Sequence, residues 1–243
     1  MTDRPPPSAF LAPLPHPGEG PLVQLLARLS PRARAILTAN LHERVVPAGA
    51  VLFDEGDTVD SLGQVAGGTL GLIRRGTGGR AHMIGFLLPP DLCGHPFASR
   101  ATCRLEALTD ARLLCVPRSD VALAMHTEPE AEELLTAQVL HNLNRTREAL
   151  QLIGNRRVTR RVAGFLILLA RRTGTGPEGG PLELPMSRAH LALYLGTRPE
   201  TLSRSLHELA DLGVLRIEDP YRFCILSAAA LARAAGQDPG PAG

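Results

Sequence analysis

The spacing of hydrophobic and polar residues divides the chain into stretches of different character. Residues 1–21 contain seven prolines and no periodic hydrophobicity, which predicts a disordered arm. Two short helices are predicted next, an amphipathic one over 22–29 and a second over 30–41, which Ser30-Pro31 starts by placing Pro at the first helical position. Over 45–116, short apolar runs alternate with turns rich in Gly and Pro, which predicts a compact β sandwich or barrel.

Residues 128–154 are predicted to form one long helix with a narrow apolar stripe. The stripe recurs in steps of 4, 4, 3, 4 and 3, which is the spacing of a coiled-coil seam. Its members are Leu135, Val139, Leu143, Thr146, Leu150 and Ile153. The stripe could pack on the chain's own β domain or on the same helix of a second subunit. Charged residues on both flanks favour the dimer.

The stretch from Ser187 onward predicts a helix-turn-helix. Ser187 is a suitable N-cap for a helix over 188–195, which Gly196 ends. A second helix is predicted over 197–212, and two helices joined by so tight a turn form this motif. The predicted core shared by the two helices consists of Leu191, Leu195, Leu202 and Leu206.

Two further features surround that second helix. Thr197 and Glu200 are expected to form a capping box at its start. After it, residues 214–217 and 222–226 flank a short polar turn, which predicts a β-hairpin wing.

Composition and charge narrow the function classes. Hydrophobic residues make up 44% of the chain, which excludes wholesale disorder. No apolar run approaches the roughly 20 residues of a membrane span, and the N-terminus lacks the apolar core of a signal peptide, so a cytoplasmic protein is expected. The four cysteines are widely spaced, which argues against a disulfide framework.

The distribution of charge is more informative than its total. All 26 basic residues are Arg, which indicates a GC-biased genome that avoids Lys codons. The Arg content is therefore not by itself evidence for nucleic-acid binding. Residues 1–154 carry 14 Arg against 16 acidic residues, whereas residues 155–243 carry 12 Arg against 8. The basic second part indicates a module that binds an anionic partner.

The first turns of the second helix carry the candidate base-reading residues. Arg204 can contact guanine O6 and N7 bidentately, Glu200 can accept from cytosine N4, and Ser203 can reach either strand. Glu200 lies four residues before Arg204, so its carboxylate is expected to hold the guanidinium. The predicted contacts to the DNA backbone are Ser187, Arg188 and Thr201.

Residues 184–196 and 199–204 resemble the winged helix-turn-helix of the Crp/Fnr family of bacterial transcription regulators. The resemblance covers about residues 30–235. It implies an α+β protein with an N-terminal β-roll like the cyclic-nucleotide-binding jelly roll, a long dimerisation helix and a C-terminal winged domain. The expected boundaries are 1–21 for the disordered arm, 22–126 for the sensor β-roll, 127–155 for the dimerisation helix, 156–235 for the winged domain and 236–243 for a disordered tail.

The same resemblance implies the partners. In the Fnr, FixK and Dnr branches, the pattern Glu-x-x-Ser-Arg accompanies recognition of a TTGAT-type half-site, and it places Glu200, Ser203 and Arg204 at the base-reading positions. We therefore expect a homodimer on double-stranded DNA with an inverted repeat resembling TTGAT-N4-ATCAA, with RNA polymerase as a further partner and no membrane association.

The sequence leaves several alternatives for the signal that the sensor β-roll detects. Residues 1–92 contain no cysteine, so an Fnr-type iron–sulfur cluster is not expected. No Glu follows Gly94, and Arg104 is not followed by Ser or Thr, so the pattern of the cyclic-nucleotide branch is missing and cyclic AMP is not expected. Cys93 and His95 have the Cys-x-His spacing of the haem-dependent branch and are candidate haem ligands. The alternatives are a core cysteine beside a loop histidine, and a sensor without a small ligand.

Two other function classes compete with a regulator. An enzyme on the β-roll is not expected, because the sequence offers no nucleophile–base arrangement, no paired carboxylates and no phosphate loop. A confident metal site is also not predicted, since His82 and His95 are isolated. The pattern of Glu200 and Arg204 argues against a nucleotide-binding module without DNA function.

Overall fold

A computed structural model describes residues 20–76, 81–175 and 181–237 of the protein. Within them the chain divides into two compact units, with the boundary between Arg145 and Thr146. Residues 1–19 of the predicted arm and 238–243 of the predicted tail lie outside the described residues. None of the helices in the described ranges is long and apolar enough to cross a membrane.

The first unit begins with the two predicted helices, α1 (Pro21–Arg28) and α2 (Pro31–Ala39). Each starts with a proline, which is favoured there because the N–H of the first helical residue has no acceptor within the helix. Ser30 caps α2, because its Oγ accepts the N–H of Ala33 at 3.3 Å. Both predicted helices are confirmed, and α2 ends two residues earlier than expected.

Eight strands then form two antiparallel four-stranded sheets, ordered β1-β8-β3-β6 and β2-β7-β4-β5. The strands are β1 (His42–Val46), β2 (Val51–Phe53), β3 (Ser61–Gly67), β4 (Leu70–Arg75), β5 (Ala81–Leu87), β6 (Leu92–Cys93), β7 (Arg104–Ala107) and β8 (Ala111–Pro117). Side chains from both sheets, including Val65, Leu70, Leu105 and Leu113, share one buried cluster. The predicted β sandwich or barrel is therefore confirmed.

Strand β3 was not predicted, although nearly all of it is buried. Six of its seven residues are buried, so it has no alternation of polar and apolar residues. Its polar member Gln64 is 3% exposed and accepts the N–H of Leu22 at 2.8 Å, which satisfies one free donor at the start of α1. Because this buried polar residue interrupts the apolar run, the pattern of hydrophobic residues does not indicate the strand.

Two helices follow the sheets, α3 (Arg118–Thr127), which was not predicted, and the long helix α4 (Pro129–Ile153). Leu135 on α4 is 3% exposed and belongs to the same buried cluster as Ala131, Leu22 and Leu37. Its assignment to the dimer seam is therefore wrong, because the first turns of α4 pack on their own unit. Further along α4, Leu143 and Leu150 are 45% and 65% exposed.

The second unit contains the elements of the predicted winged domain. They are α5 (Val158–Thr173), β9 (Leu182–Glu183), α6 (Arg188–Tyr194), α7 (Pro199–Asp211), β10 (Leu215–Ile217), β11 (Arg222–Ile225) and α8 (Ala228–Ala235). The three strands form one antiparallel sheet ordered β10-β11-β9. Residues 176–180, between α5 and β9, lie outside the described residues, and helix α8 had no counterpart in the sequence-based prediction.

Candidate nucleic-acid interface

Helix α6 begins and ends as the sequence predicts. Ser187 is 5% exposed, and its Oγ accepts the N–H of His190 at 3.2 Å, so it is the N-cap. Gly196 follows the helix with a φ of 61°, in the left-handed region that a glycine adopts without strain. The chain reverses here within a few residues, which brings α7 back against α6.

The start of α7 differs from the prediction. The N-cap is Arg198, its side chain makes no capping hydrogen bond, and Pro199 is the first helical residue. The predicted capping box of Thr197 and Glu200 is therefore wrong. Proline forces the preceding residue into an extended conformation, which places the cap one position later than Thr197. The N–H of Thr197 instead donates to the carbonyl of Ala192 at 2.9 Å.

The two helices pack through an apolar core that the sequence predicted. Leu191 and Leu195 of this core are fully buried on the α6 side, as are Leu202 and Leu206 of α7. Ala192 is 1% exposed, and its small side chain allows the close approach. Because these leucines occupy one side of α7, the opposite side faces outward.

The outward side of α7 carries the predicted base-reading residues. Glu200 and Arg204 are exposed and Ser203 is half-buried. The guanidinium of Arg204 does not bind the Glu200 carboxylate as expected: its Nε donates to the backbone carbonyl of Glu200, and Nη2 donates to Oγ1 of Thr201, both at 3.4 Å. These long hydrogen bonds lie within the helix, and they leave the Glu200 carboxylate available to a base.

The wing forms as predicted. Strands β10 and β11 pair Ile217 with Phe223 and Leu215 with Ile225. Between them, Oδ1 of Asp219 accepts the N–H groups of Tyr221 and Arg222 at 2.7 and 2.9 Å, which fixes the turn from its own side chain.

The residues predicted to contact the DNA backbone form hydrogen bonds within the protein. Nε of Arg188 donates to the carbonyl of Pro220 at 3.0 Å, and its guanidinium lies 6.0 Å from the centre of the Phe223 ring. Arg188 thereby ties α6 to the wing turn. Ser187 is engaged in its cap, and Thr201 accepts from Arg204. Their contacts to DNA stay predictions.

The wing also contains a small polar cluster. The Cys224 thiol donates to Oε1 of Glu218 at 2.9 Å, and Nη2 of Arg216 donates to the same carboxylate oxygen at 3.3 Å. The hydrogen bond to the negative carboxylate raises the pKa of Cys224, while the same hydrogen bond and that of Arg216 lower the pKa of Glu218. At ordinary pH this surface of the wing therefore holds a thiol and a carboxylate.

A basic segment at the start of α5 was not singled out from the sequence. Arg156, Arg157 and Arg160 line a cavity of about 500 Å³, together with Gly154 and Asn155. The first turn of α5 has no acidic residue and no side-chain cap. The signal in the sequence was four arginines within residues 155–161, which the overall richness in Arg obscured.

This basic segment contacts α7. Oγ1 of Thr159 donates to Oε2 of Glu208 on α7 at 2.6 Å, and Nη2 of Arg161 donates to the carbonyl of Gly196 at 3.4 Å. The segment therefore contacts both α7 and the turn that precedes it.

In the first unit, the candidate haem ligands lie in different environments. Cys93 is 6% exposed and pairs across the sheet with Gly63, whose other neighbour is Cys115. Burial raises the pKa of Cys93 to about 12. His95 is exposed, and its Nδ1 accepts the N–H of Phe97 at 3.1 Å. Cys93 therefore lies in the core of the sheet, whereas His95 lies at the surface of the unit.

Arg104 occupies the position where the resemblance would place a phosphate-binding arginine. Its Nε donates to Glu106 at 2.9 Å and its Nη1 to Asp54 at 3.1 Å. These two carboxylates already neutralise the guanidinium. Within the described part of the chain, no cluster of three or more His, Cys, Asp or Glu residues could hold a metal ion.

The fold and this interface together define a DNA-binding protein that joins a winged helix-turn-helix to a β-roll. Residues 160–234 match the Crp-like helix-turn-helix domain, and residues 43–128 match the cyclic nucleotide-binding domain. The solved structure of FixK2 from Bradyrhizobium japonicum superposes with a TM-score of 0.74 and 25% identity, over 83% of this chain and 99% of FixK2.

Sequence relatives extend over most of the chain. The transcriptional activator protein FnrL of Cereibacter sphaeroides is 30% identical over 217 residues, which is 87% of this chain and 88% of FnrL. The nitrogen fixation regulation protein FixK of Azorhizobium caulinodans is 30% identical over 206 residues, which is 84% of this chain and 83% of FixK. The chain belongs to the Crp/Fnr family of DNA-binding transcription regulators.

Proposed function

We propose that the protein acts as a homodimer that reads an inverted repeat resembling TTGAT-N4-ATCAA. The observation that carries this proposal is the outward side of α7, where Glu200, Ser203 and Arg204 stand on a fully buried leucine core. A rigid helix that presents such side chains is suited to the major groove. RNA polymerase is the proposed second partner, and DNA binding rather than catalysis is the proposed activity.

The phosphate contacts are proposed to come from both sides of α7. Arg188 supports the wing turn, and the arginines at the start of α5 belong to a segment that contacts α7 through Thr159. Such contacts position a protein on the duplex without reading its sequence. Base reading and backbone binding are thus assigned to different elements.

The dimer is proposed to form through α4. Leu143 and Leu150 are large apolar side chains that remain 45% and 65% exposed, at two positions of the predicted seam. A two-fold dimer of helix-turn-helix units places its recognition helices in successive major grooves, about 34 Å apart. This spacing requires an operator with dyad symmetry.

Selection of bound sequences from random DNA duplexes tests the proposal. The full chain should enrich a palindrome with TTGAT-type half-sites whose centres are about one helical turn apart. The double variant Glu200→Ala, Arg204→Ala should still bind DNA at low salt but enrich no such repeat. Enrichment of a site without dyad symmetry would contradict the dimeric mode of reading.

For the sensor, we propose a β-roll without an Fnr-type cluster, haem or cyclic AMP. The ion pairs of Arg104 and the buried thiol of Cys93 support this proposal. An absorption spectrum of protein purified without oxygen tests it for haem and iron–sulfur. A Soret band or a broad band in the blue would overturn the respective part, and a thermal-shift titration with cyclic AMP tests the remaining part.

A further inference from the structure

An ion pair joins the long helix α4 to a turn of the β-roll. Nη2 of Arg145 lies 2.9 Å from Oδ2 of Asp91, and Nη1 contacts Oδ1, so the guanidinium donates a hydrogen bond to each carboxylate oxygen. The Asp91 side chain is 6% exposed and that of Arg145 is 23% exposed. Paired contacts of this kind are both strong and directional, especially where water is excluded.

Asp91 also holds the turn in which it lies, between β5 and β6. Its Oδ2 accepts the N–H of Leu88 at 2.9 Å, and its backbone N–H donates to the Leu88 carbonyl at 2.7 Å. Its own carbonyl accepts the N–H of Val65 on β3 at 2.8 Å. The carboxylate therefore cannot leave Arg145 without a change in this turn.

Arg145 lies on the side of α4 that faces its own unit. At about 100° per residue, it points within about 40° of Ala131 and about 80° of Leu135, which are both buried. Leu140 and Leu143 point within about 40° of the opposite direction. They are 56% and 45% exposed. When Arg145 binds Asp91, the rotation of α4 about its own axis therefore directs these two leucines outward.

We propose that the pair of Asp91 and Arg145 is a clamp that sets the rotation of α4 and so presents Leu140 and Leu143 to a second copy of the chain. This inference rests on the proposed homodimer. The clamp couples the turn between β5 and β6 to the dimer face. A rearrangement of the turn that withdraws the carboxylate releases α4 to rotate and weakens the dimer.

The test uses the full chain and two measurements. Sedimentation equilibrium gives the dimer dissociation constant, and hydrogen exchange reports residues 88–92 and 136–145. Arg145→Met and Asp91→Asn should each weaken the dimer about tenfold, a usual size for coupling between two sites. Each should also speed exchange in both segments. The neutral pair Asp91→Asn, Arg145→Gln should recover part of both losses, because it leaves no unpaired buried charge.

The matched control is Arg32→Met, which removes an exposed arginine of the same unit and should change neither measurement. The clamp is overturned if Arg145→Met and Asp91→Asn behave like this control, or if exchange rises evenly through the whole first unit. A wild-type chain that stays monomeric would refute the proposed homodimer. In that case local exchange still decides whether the two side chains position α4.

Discussion

Arg204 is the side chain of α7 best suited to read a single base pair. Its hydrogen bonds within the helix are long, at 3.4 Å, so the guanidinium can exchange them for guanine O6 and N7. Arg204→Ala should cost about 1–3 kcal/mol of binding free energy and relax preference at one base pair. Titration of the consensus and of its single-base variants at several salt concentrations measures both effects.

Arg157 at the start of α5 provides the matched comparison. Arg157→Ala also removes one arginine, but as a phosphate contact it should weaken all sequences alike and lower the salt slope by about one unit. If Arg204→Ala leaves the ranking of bases unchanged and resembles Arg157→Ala, Arg204 does not read a base.

Cys224 offers a test of the electrostatics of the wing. Because the Glu218 carboxylate accepts its hydrogen bond, the pKa of the thiol is raised and little thiolate forms at pH 8. Glu218→Gln removes the charge, so the pKa should fall and alkylation of Cys224 by iodoacetamide should accelerate. Peptide mapping measures the rate, with buried Cys93 as the internal control that stays unlabelled. An unchanged rate at Cys224 would argue against the hydrogen bond.

At the scale of elements, the turn between α6 and α7 depends on one backbone conformation. Gly196 has a φ of 61°, and a Cβ built there would meet no atom within 4 Å. Gly196→Ala should therefore destabilise the second unit by about 1 kcal/mol through backbone strain alone. Gly196→Asn should cost less, since Asn tolerates the left-handed region. Urea unfolding compares the two variants, and equal losses would point to a lost contact instead of strain.

At the scale of the whole molecule, assembly depends on exposed leucines of α4. Leu143→Glu places like charges face to face in the proposed seam, where an unpaired buried charge costs several kcal/mol. Sedimentation at micromolar concentration should show monomers for this variant. Leu123→Glu is the control, because Leu123 on α3 is 47% exposed, close to the 45% of Leu143, but lies outside the seam. A dimeric Leu143→Glu variant would refute the seam.

Local signals allowed the sequence by itself to determine much of the fold and of the interface. Ser187 caps α6 as expected, Gly196 ends it, and Pro31 is the first residue of α2, since capping and turn chemistry act over a few residues. The leucine core of α6 and α7 follows helical periodicity and was identified from it. Residues 184–196 and 199–204, together with the order of the predicted domains, also indicated the Crp/Fnr family.

The features that join distant parts of the chain follow from the folded structure and not from local sequence patterns. The buried strand β3 lacks alternation of polar and apolar residues, so no local pattern indicates it. Gln64 accepts a hydrogen bond from Leu22, 42 residues away, which no local pattern indicates either. Leu135 has the spacing of a seam residue, yet the helices before it cover it. Arg145 flanks the apolar stripe of α4, yet its guanidinium binds Asp91, which lies 54 residues earlier. Periodicity shows which side of a helix is apolar, whereas packing alone determines what covers that side.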